Sequence, residues 1–398
     1  MAMRIRAKVN PKLLGWARKS AGLSVDEAAR KIGGKKFKPE RLEAWESGDE
    51  QPTVVQLRKV ARVYKRPLAV FFLAEFPRDF TIPRDFRRLP GDGLRTISPD
   101  LLLEIRQAEE RRELALELYA DLGEQPPSFG LTASLDEEPE QIADRIRSAL
   151  NVSIEEQMGW RDPQRYKPLN QWRRRIEDLG VLVFQFSNVH PSESLGFSIA
   201  ETSVPVIAVN RTVRPNGRIF TMMHEFAHLM LRQGGLCDIE ESLARPPEEQ
   251  RFEVFCNRIA AATLVPGDHF LTNLQSYGGG AGPREWPDEV IGELAYRYSV
   301  SEEVIVRCML TFRRTTVAFY ERKRAEYHVL LALAQRRAQE RRGFESPPSR
   351  VVSKEGPTFV RLVLENYYQG HITLSDVSSY LGVRVKHLPT IERSVRAA

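Results

Sequence analysis

The stretch "TMMHEFAHLML", residues 221 to 231, restricts this chain more than any other. Met222, Met223, Phe226, Ala227, Leu229, Met230 and Leu231 leave almost no polar face, so a helix here is buried nearly all round. Into that apolar setting the chain puts His224, Glu225 and His228. Residues i and i+4 lie one turn apart on the same side of an α-helix, so both imidazoles can reach one point. Glu225 sits about 100° further round. A carboxylate buried there alone costs several kcal/mol, and a cation beside it offsets that cost.

This is the H-E-x-x-H arrangement of zinc hydrolases, in which zinc activates a water and the glutamate removes its proton as the water attacks a carbonyl. Such a site needs a third protein ligand. The next helix, "EEQRFEVFCNRIAAATLVP" (248–266), carries Glu253, Asn257, Ala260, Ala261 and Leu264 on one face. Phe252, Phe255, Cys256, Ile259 and Thr263 lie on the other. An acid in a helix apolar on both sides needs a positive partner, which makes Glu253 the first candidate. Asp238, Glu240 and Glu241 in the intervening loop, and His269 beyond it, are the alternatives. Small Ala260 and Ala261 allow close approach to another helix.

Residues 11 to 76 predict five short helices. "SVDEAARKIG" opens on Ser24 with Glu27 three residues later, a capping box, and "TVVQLRKVARVYK" opens on Thr53. "KPERLEAWESGD" lies between them, and "PLAVFFLAEF" closes the set. A tight turn between the second and third helices suits a helix-turn-helix module. The turn "GGKKFKP" supplies Lys35, Lys36 and Lys38 for phosphates, and Arg41 is the candidate base reader. Glu40, Glu43 and Glu46 work against phosphate contact.

A linker rich in Pro, Arg and Asp follows, then a long helix ending at Gly123 and further helices. "VLVFQFS" (181–187), "SLGFSIA" (194–200) and "VPVIAVN" (204–210) predict three short strands just before the histidine helix. "EVIGELAYRYSVSEEVIVRCML" predicts a second pair of helices around a tight turn at Val300 and Ser301. A basic helix covers 313–342, and two short helices flank Gly370. The expected fold is mainly α with a small β-sheet (α+β). Its parts are a helix-turn-helix domain (1–76), a linker and long helix (77–130), a zincin-like core (131–275), a helical region with the basic helix (276–345) and a small C-terminal helical domain (346–398).

Composition removes several classes. The longest apolar runs, such as "LAVFFLA", cannot span a bilayer, and the N-terminus lacks the apolar core of a signal peptide. Three scattered cysteines, Cys237, Cys256 and Cys308, point to a reducing cytoplasm. A net charge of +6 agrees with nucleic-acid contact.

Two resemblances follow from these motifs. "LSVDEAARKIG…RLEAWESGDEQPTVVQLRKVA" resembles the XRE (Cro and lambda-repressor-like) DNA-binding domain at Ala28, Ile32, Leu42, Trp45, Glu46, Gly48, Pro52 and Leu57. Its turn before Trp45 is about three residues longer than usual. "NGRIFTMMHEFAHLML" with "ExFCNxxAAxxLVP" (253–266) resembles the ImmA/IrrE metallopeptidases over about residues 135 to 310. That resemblance implies zinc held by His224, His228 and Glu253, with Glu225 as base and with Arg218 and Asn210 shaping the site. "GHITLSDVSSYLGV" resembles the tail of such fusions. The implied activity is selective cleavage of a partner repressor in a stress or mobile-element response, by a protein expected to bind duplex DNA as a homodimer. The competing reading is a DNA-binding regulator or antitoxin-like component that keeps the peptidase-like core as a scaffold.

Overall fold

The computed structural model describes residues 6–75, 97–232, 235–237, 247–278, 282–340 and 347–396. The chain divides into two compact units, Met1–Gln107 and Ala108–Ala398. The first holds α1 (Pro11–Ser20), α2 (Val25–Gly33), α3 (Pro39–Ser47) and α4 (Val54–Val63). Both sequence-read caps form as full capping boxes, Ser24 with Glu27 and Thr53 with Gln56. Leu14, Ala28, Leu42, Trp45, Leu57, Tyr64 and Phe71 make a shared core. The expected fifth helix is instead a five-residue 3-10 turn, Leu68–Phe72. Only Phe71 of that run is buried, and one buried contact does not sustain a longer helix.

The long turn after α2 has a local explanation. Residues Gly34–Lys36 form a 3-10 turn, and Phe37 folds back so that its ring meets the edge of Trp45 at 5.2 Å. Gly33 permits this, because a Cβ there would lie 2.5 Å from Phe37 Cβ.

The division falls within α5 (Pro99–Asp121). The second unit continues with α6 (Pro139–Ala149), α7 (Ile154–Gly159), α8 (Tyr166–Asp178), β1 (Leu182–Phe186), β2 (Gly196–Ile199), β3 (Val206–Asn210) and α9 (Pro215–Met230). The three strands lie where the sequence predicts them. A fourth, β4 (Gly235–Cys237), joins them, giving the order β1-β3-β2-β4. β1 runs parallel to β3, and β2 is antiparallel to both β3 and β4. Then come α10 (Pro247–Leu264), α11 (Gly267–Ser276), α12 (Asp288–Tyr298), α13 (Glu302–Thr311), α14 (Val317–Glu340), α15 (Pro347–Glu355), α16 (Pro357–Gln369), α17 (Leu374–Tyr380) and α18 (Leu388–Arg396).

Helix α9 packs against β2 and β3 on one side and against α8 and α10 on others, and α10 also packs against α6. That layering is why α9 is apolar all round. The last helices close over β1. Arg173 and Glu177 form a buried pair on α8, Nε to Oε1 3.0 Å. Arg173 also donates to the carbonyls of Ser353 (2.7 Å) and Val183, while Thr358 N donates to Glu177 Oε2 at 3.1 Å. Gly356, at φ +84°, fits beside this pair, where a Cβ would lie 2.9 Å from Glu177 Oε1. Phe359 meets the Phe184 ring edge-on at 5.8 Å. Among the described residues, no helix is long and apolar enough to cross a membrane.

Candidate metal centre and DNA-binding surface

His224 and His228 project from one side of α9 with their Nε2 atoms 3.0 Å apart. From α10, Glu253 brings Oε2 to 3.3 Å from His224 Nε2 and Oε1 to 3.5 Å from His228 Nε2. The three ligand atoms lie within 4.8 Å of one another. Both imidazoles are buried. Asn257, one turn after Glu253, places Oδ1 2.9 Å from His224 Nδ1. That carboxamide oxygen only accepts, so Nδ1 carries the proton and Nε2 presents its lone pair towards His228 and Glu253. Two imidazole nitrogens and a carboxylate oxygen converging on one point form a donor set that suits a divalent cation such as zinc. The sequence puts Asn257 on the Glu253 face but gives it no role; the i+4 spacing was the available signal.

Glu225 is fully buried on the sheet side of the histidines, and the Ser198 hydroxyl stands near its carboxylate without a well-formed hydrogen bond. Burial pushes its carboxyl up to about 8; His224 and the nearby Ser198 hydroxyl pull it down in part, and Glu253 adds to the rise. Gly196 on β2 makes this placement possible. A Cβ at 196 would lie 2.5 Å from Thr221 Cγ2, 2.9 Å from Ala208 O and 3.4 Å from Glu225 Oε1. Gly196→Ala is therefore expected to cost about 1–3 kcal/mol through overpacking between β2 and α9. Adding Thr221→Ser removes the nearest clash and should recover part of the loss in thermal unfolding. A Gly196→Ala chain as stable as the native one would refute the close-approach argument.

Other predicted residues take supporting places. Asn210, buried at the end of β3, donates to Val189 O (2.9 Å) and Ser194 O (3.0 Å), and its Oδ1 accepts from Thr212 Oγ1 at 2.6 Å. It thereby ties the β1–β2 loop to the β3–α9 loop at one end of the sheet. Arg218 in the first turns of α9 donates to Gln185 Oε1 on β1 at 2.6 Å. His269 lies on α11 with its Nδ1 2.8 Å from Tyr298 Oη at the end of α12, and is not part of the cluster. Asp238, Glu240 and Glu241 lie outside the described residues.

In the first unit, Lys36 and Lys38 are exposed around the 3-10 turn, and Arg41 is exposed in the first turn of α3. The Lys35 side chain lies outside the described atoms. Arg41 Nε stands 3.8 Å from Glu50 Oε2, with both side chains about half exposed. One predicted obstacle to phosphate contact disappears, because Glu46 is held by Arg18. The pair is bidentate, Nε to Oε1 2.8 Å and Nη2 to Oε2 2.9 Å, and Arg18 Nη1 also donates to Leu23 O. The Glu46 charge is neutralised inside the domain rather than presented to DNA.

Fold and site together define a helix-turn-helix module joined to an α+β core built round a His–His–Glu cluster. Residues 14–71 match a helix-turn-helix family, and residues 176–309 match a peptidase family described as the IrrE N-terminal-like domain. The chain thus has the layout of an ImmA/IrrE-type protein with an N-terminal XRE-type helix-turn-helix domain. No curated protein matches it. The matched range runs from the end of α8 to α13, so the paired helices α12 and α13 lie inside it.

Proposed function

We propose that this chain is a zinc-dependent, site-specific endopeptidase that cleaves a partner transcriptional repressor in the cytoplasm, with its N-terminal domain bound to duplex DNA. The carrying observation is the convergence of His224, His228 and Glu253 ligand atoms within 4.8 Å. Zinc held by these three residues supplies Lewis acidity for peptide-bond hydrolysis. Glu225 is the base. It takes the proton of the attacking water, and positive charge at the cluster favours the carboxylate form that this requires. Buried apolar neighbours on α9 exclude bulk water from the carboxylate.

The substrate enters as an extended segment. With α15 packed against β1, we assign the substrate strand to the β4 edge of the sheet, where main-chain hydrogen bonding lays a peptide bond beside the cluster. Asn257 keeps His224 in the ligating tautomer. Asn257→Ala is expected to weaken zinc binding about 10–100-fold in competition with a chromogenic chelator, and unchanged affinity would remove Asn257 from the site. The direct test incubates the purified protein with the products of adjacent genes, with and without chelator. Cleavage of one repressor that stops on chelation supports the reading; cleavage that survives chelation overturns it.

A further inference from the structure

We propose that α17, the turn after it and α18 form a second duplex-DNA-binding surface, separate from the N-terminal module. Four residues, 381–384, separate α17 from a 3-10 turn, Val385–His387, which leads directly into α18. Gly382 sits in this connection at φ +59°, and Val383 N donates back to Ser378 O at 3.0 Å. The small Ser378 side chain fits under the connection and donates to Val383 O at 2.6 Å. Two short helices joined through seven residues, a glycine-containing turn followed by a 3-10 turn, have the order of a helix-turn-helix pair with a lengthened connection.

Burial divides the unit into two sides. Val377, Leu381, Val383, Leu388 and Ile391 are buried, and α18 packs against α15 and α16. Arg384, Val385, Lys386, Pro389, Thr390 and Arg393 are all exposed. Pro389, Thr390 and Arg393 recur at three- to four-residue spacing on one side of α18, and Lys386 stands just ahead of it in the 3-10 turn. With Arg384 and Val385 in the connection, this side of α18 and the turn ahead of it offers three cations, a hydroxyl and a valine methyl face. Cations and hydroxyls contact phosphates, and an arginine or an apolar side chain contacts base edges in the major groove. The two acids in this region are turned to other uses. Asp376 closes the cap of α17, accepting from Thr373 N (2.8 Å) and Oγ1 (2.7 Å), and Glu392 accepts from the Tyr368 hydroxyl.

The geometry favours DNA over RNA, because the major groove of B-DNA admits a helix and that of an A-form duplex does not. The other paired helices make an instructive contrast. α13 opens on Glu302 and Glu303 and buries Val304, Ile305, Val306, Cys308 and Met309, so it has no basic stripe to offer.

The test uses the full chain, a fluorescent random-sequence duplex and anisotropy titrations from about 50 to 300 mM salt. The variant Arg384→Ala/Lys386→Ala/Arg393→Ala removes the surface's charges at exposed positions, and unfolding curves check its fold. Each lost phosphate contact lowers the slope of log affinity against log salt by about 0.9, so the triple variant should lose about 2–3 from the slope. A control, Arg161→Ala/Lys167→Ala/Arg361→Ala, removes equal charge from exposed positions elsewhere in the second unit and should leave the slope unchanged. In a Lys36→Ala/Lys38→Ala/Arg41→Ala background, residual salt-dependent binding is expected, and the C-terminal substitutions should abolish it. A C-terminal variant with native slope and affinity, or one that merely equals the control, overturns the proposal.

Discussion

Glu225→Gln is expected to bind zinc as the native chain does and to lose peptide cleavage by about 10²- to 10⁴-fold, the usual cost of removing an acid–base group. The zinc should remain because Glu225 lies off the side of α9 that carries His224 and His228 and is outside the group of converging ligand atoms. Cleavage should be lost because an amide cannot take the proton from the attacking water. The fold should survive, since a neutral amide of similar size replaces a carboxyl that burial already pushes up to about 8. Three readouts separate these statements: metal content, turnover of the identified substrate and the unfolding midpoint. The cellular phenotype decides between peptidase and scaffold. A zinc-loaded Glu225→Gln protein with full biological activity would sink the peptidase reading in favour of a regulator or antitoxin-like role.

Glu253→Ala is expected to empty the site. Without this carboxylate the two histidines face each other, Nε2 to Nε2 3.0 Å, with no anionic ligand to complete the set. The loss of affinity should exceed the roughly 10–100-fold cost of losing an outer hydrogen-bond partner, and activity should fall with occupancy. Elemental analysis after dialysis at matched zinc concentration reads the result directly. Native metal content in Glu253→Ala would move the third ligand to Asp238 or Glu240. His269, on α11, is a poor substitute, being engaged with Tyr298 at the end of α12.

What the sequence made legible is mostly local. The two capping boxes depend on residues three apart, and the i,i+4 histidines depend on one turn of helix. Two of the three strands were readable because "VLVF" and "VPVIAVN" are mostly apolar and rich in valine and isoleucine. β4 was not, because three residues carry almost no pattern and their partner is remote: Cys237 pairs with Gly196. Asn257 and Gly196 were missed for the same reason. Asn257 is one more polar residue on a helix face until α9 packs beside it, and Gly196 is one more turn-forming residue until Thr221 arrives. The Arg18–Glu46 pair joins residues 28 apart, so Glu46 read as a free charge on α3.

The closure over β1 sets an order of events during synthesis. Arg173 meets Ser353 across 180 residues of chain, and Glu177 meets Thr358 across 181. At roughly 5–20 residues per second, that separation is about 10–40 s of translation. Late in that interval the histidine helix has been made, but the Arg173–Glu177 pair lacks its last hydrogen bonds and Phe184 lacks Phe359. The nascent peptidase core therefore waits with an unsealed sheet, and a ribosome that stalls before α15 releases a chain that carries the histidine motif without a finished fold. Completion of the message acts as a timer on the maturation of this core.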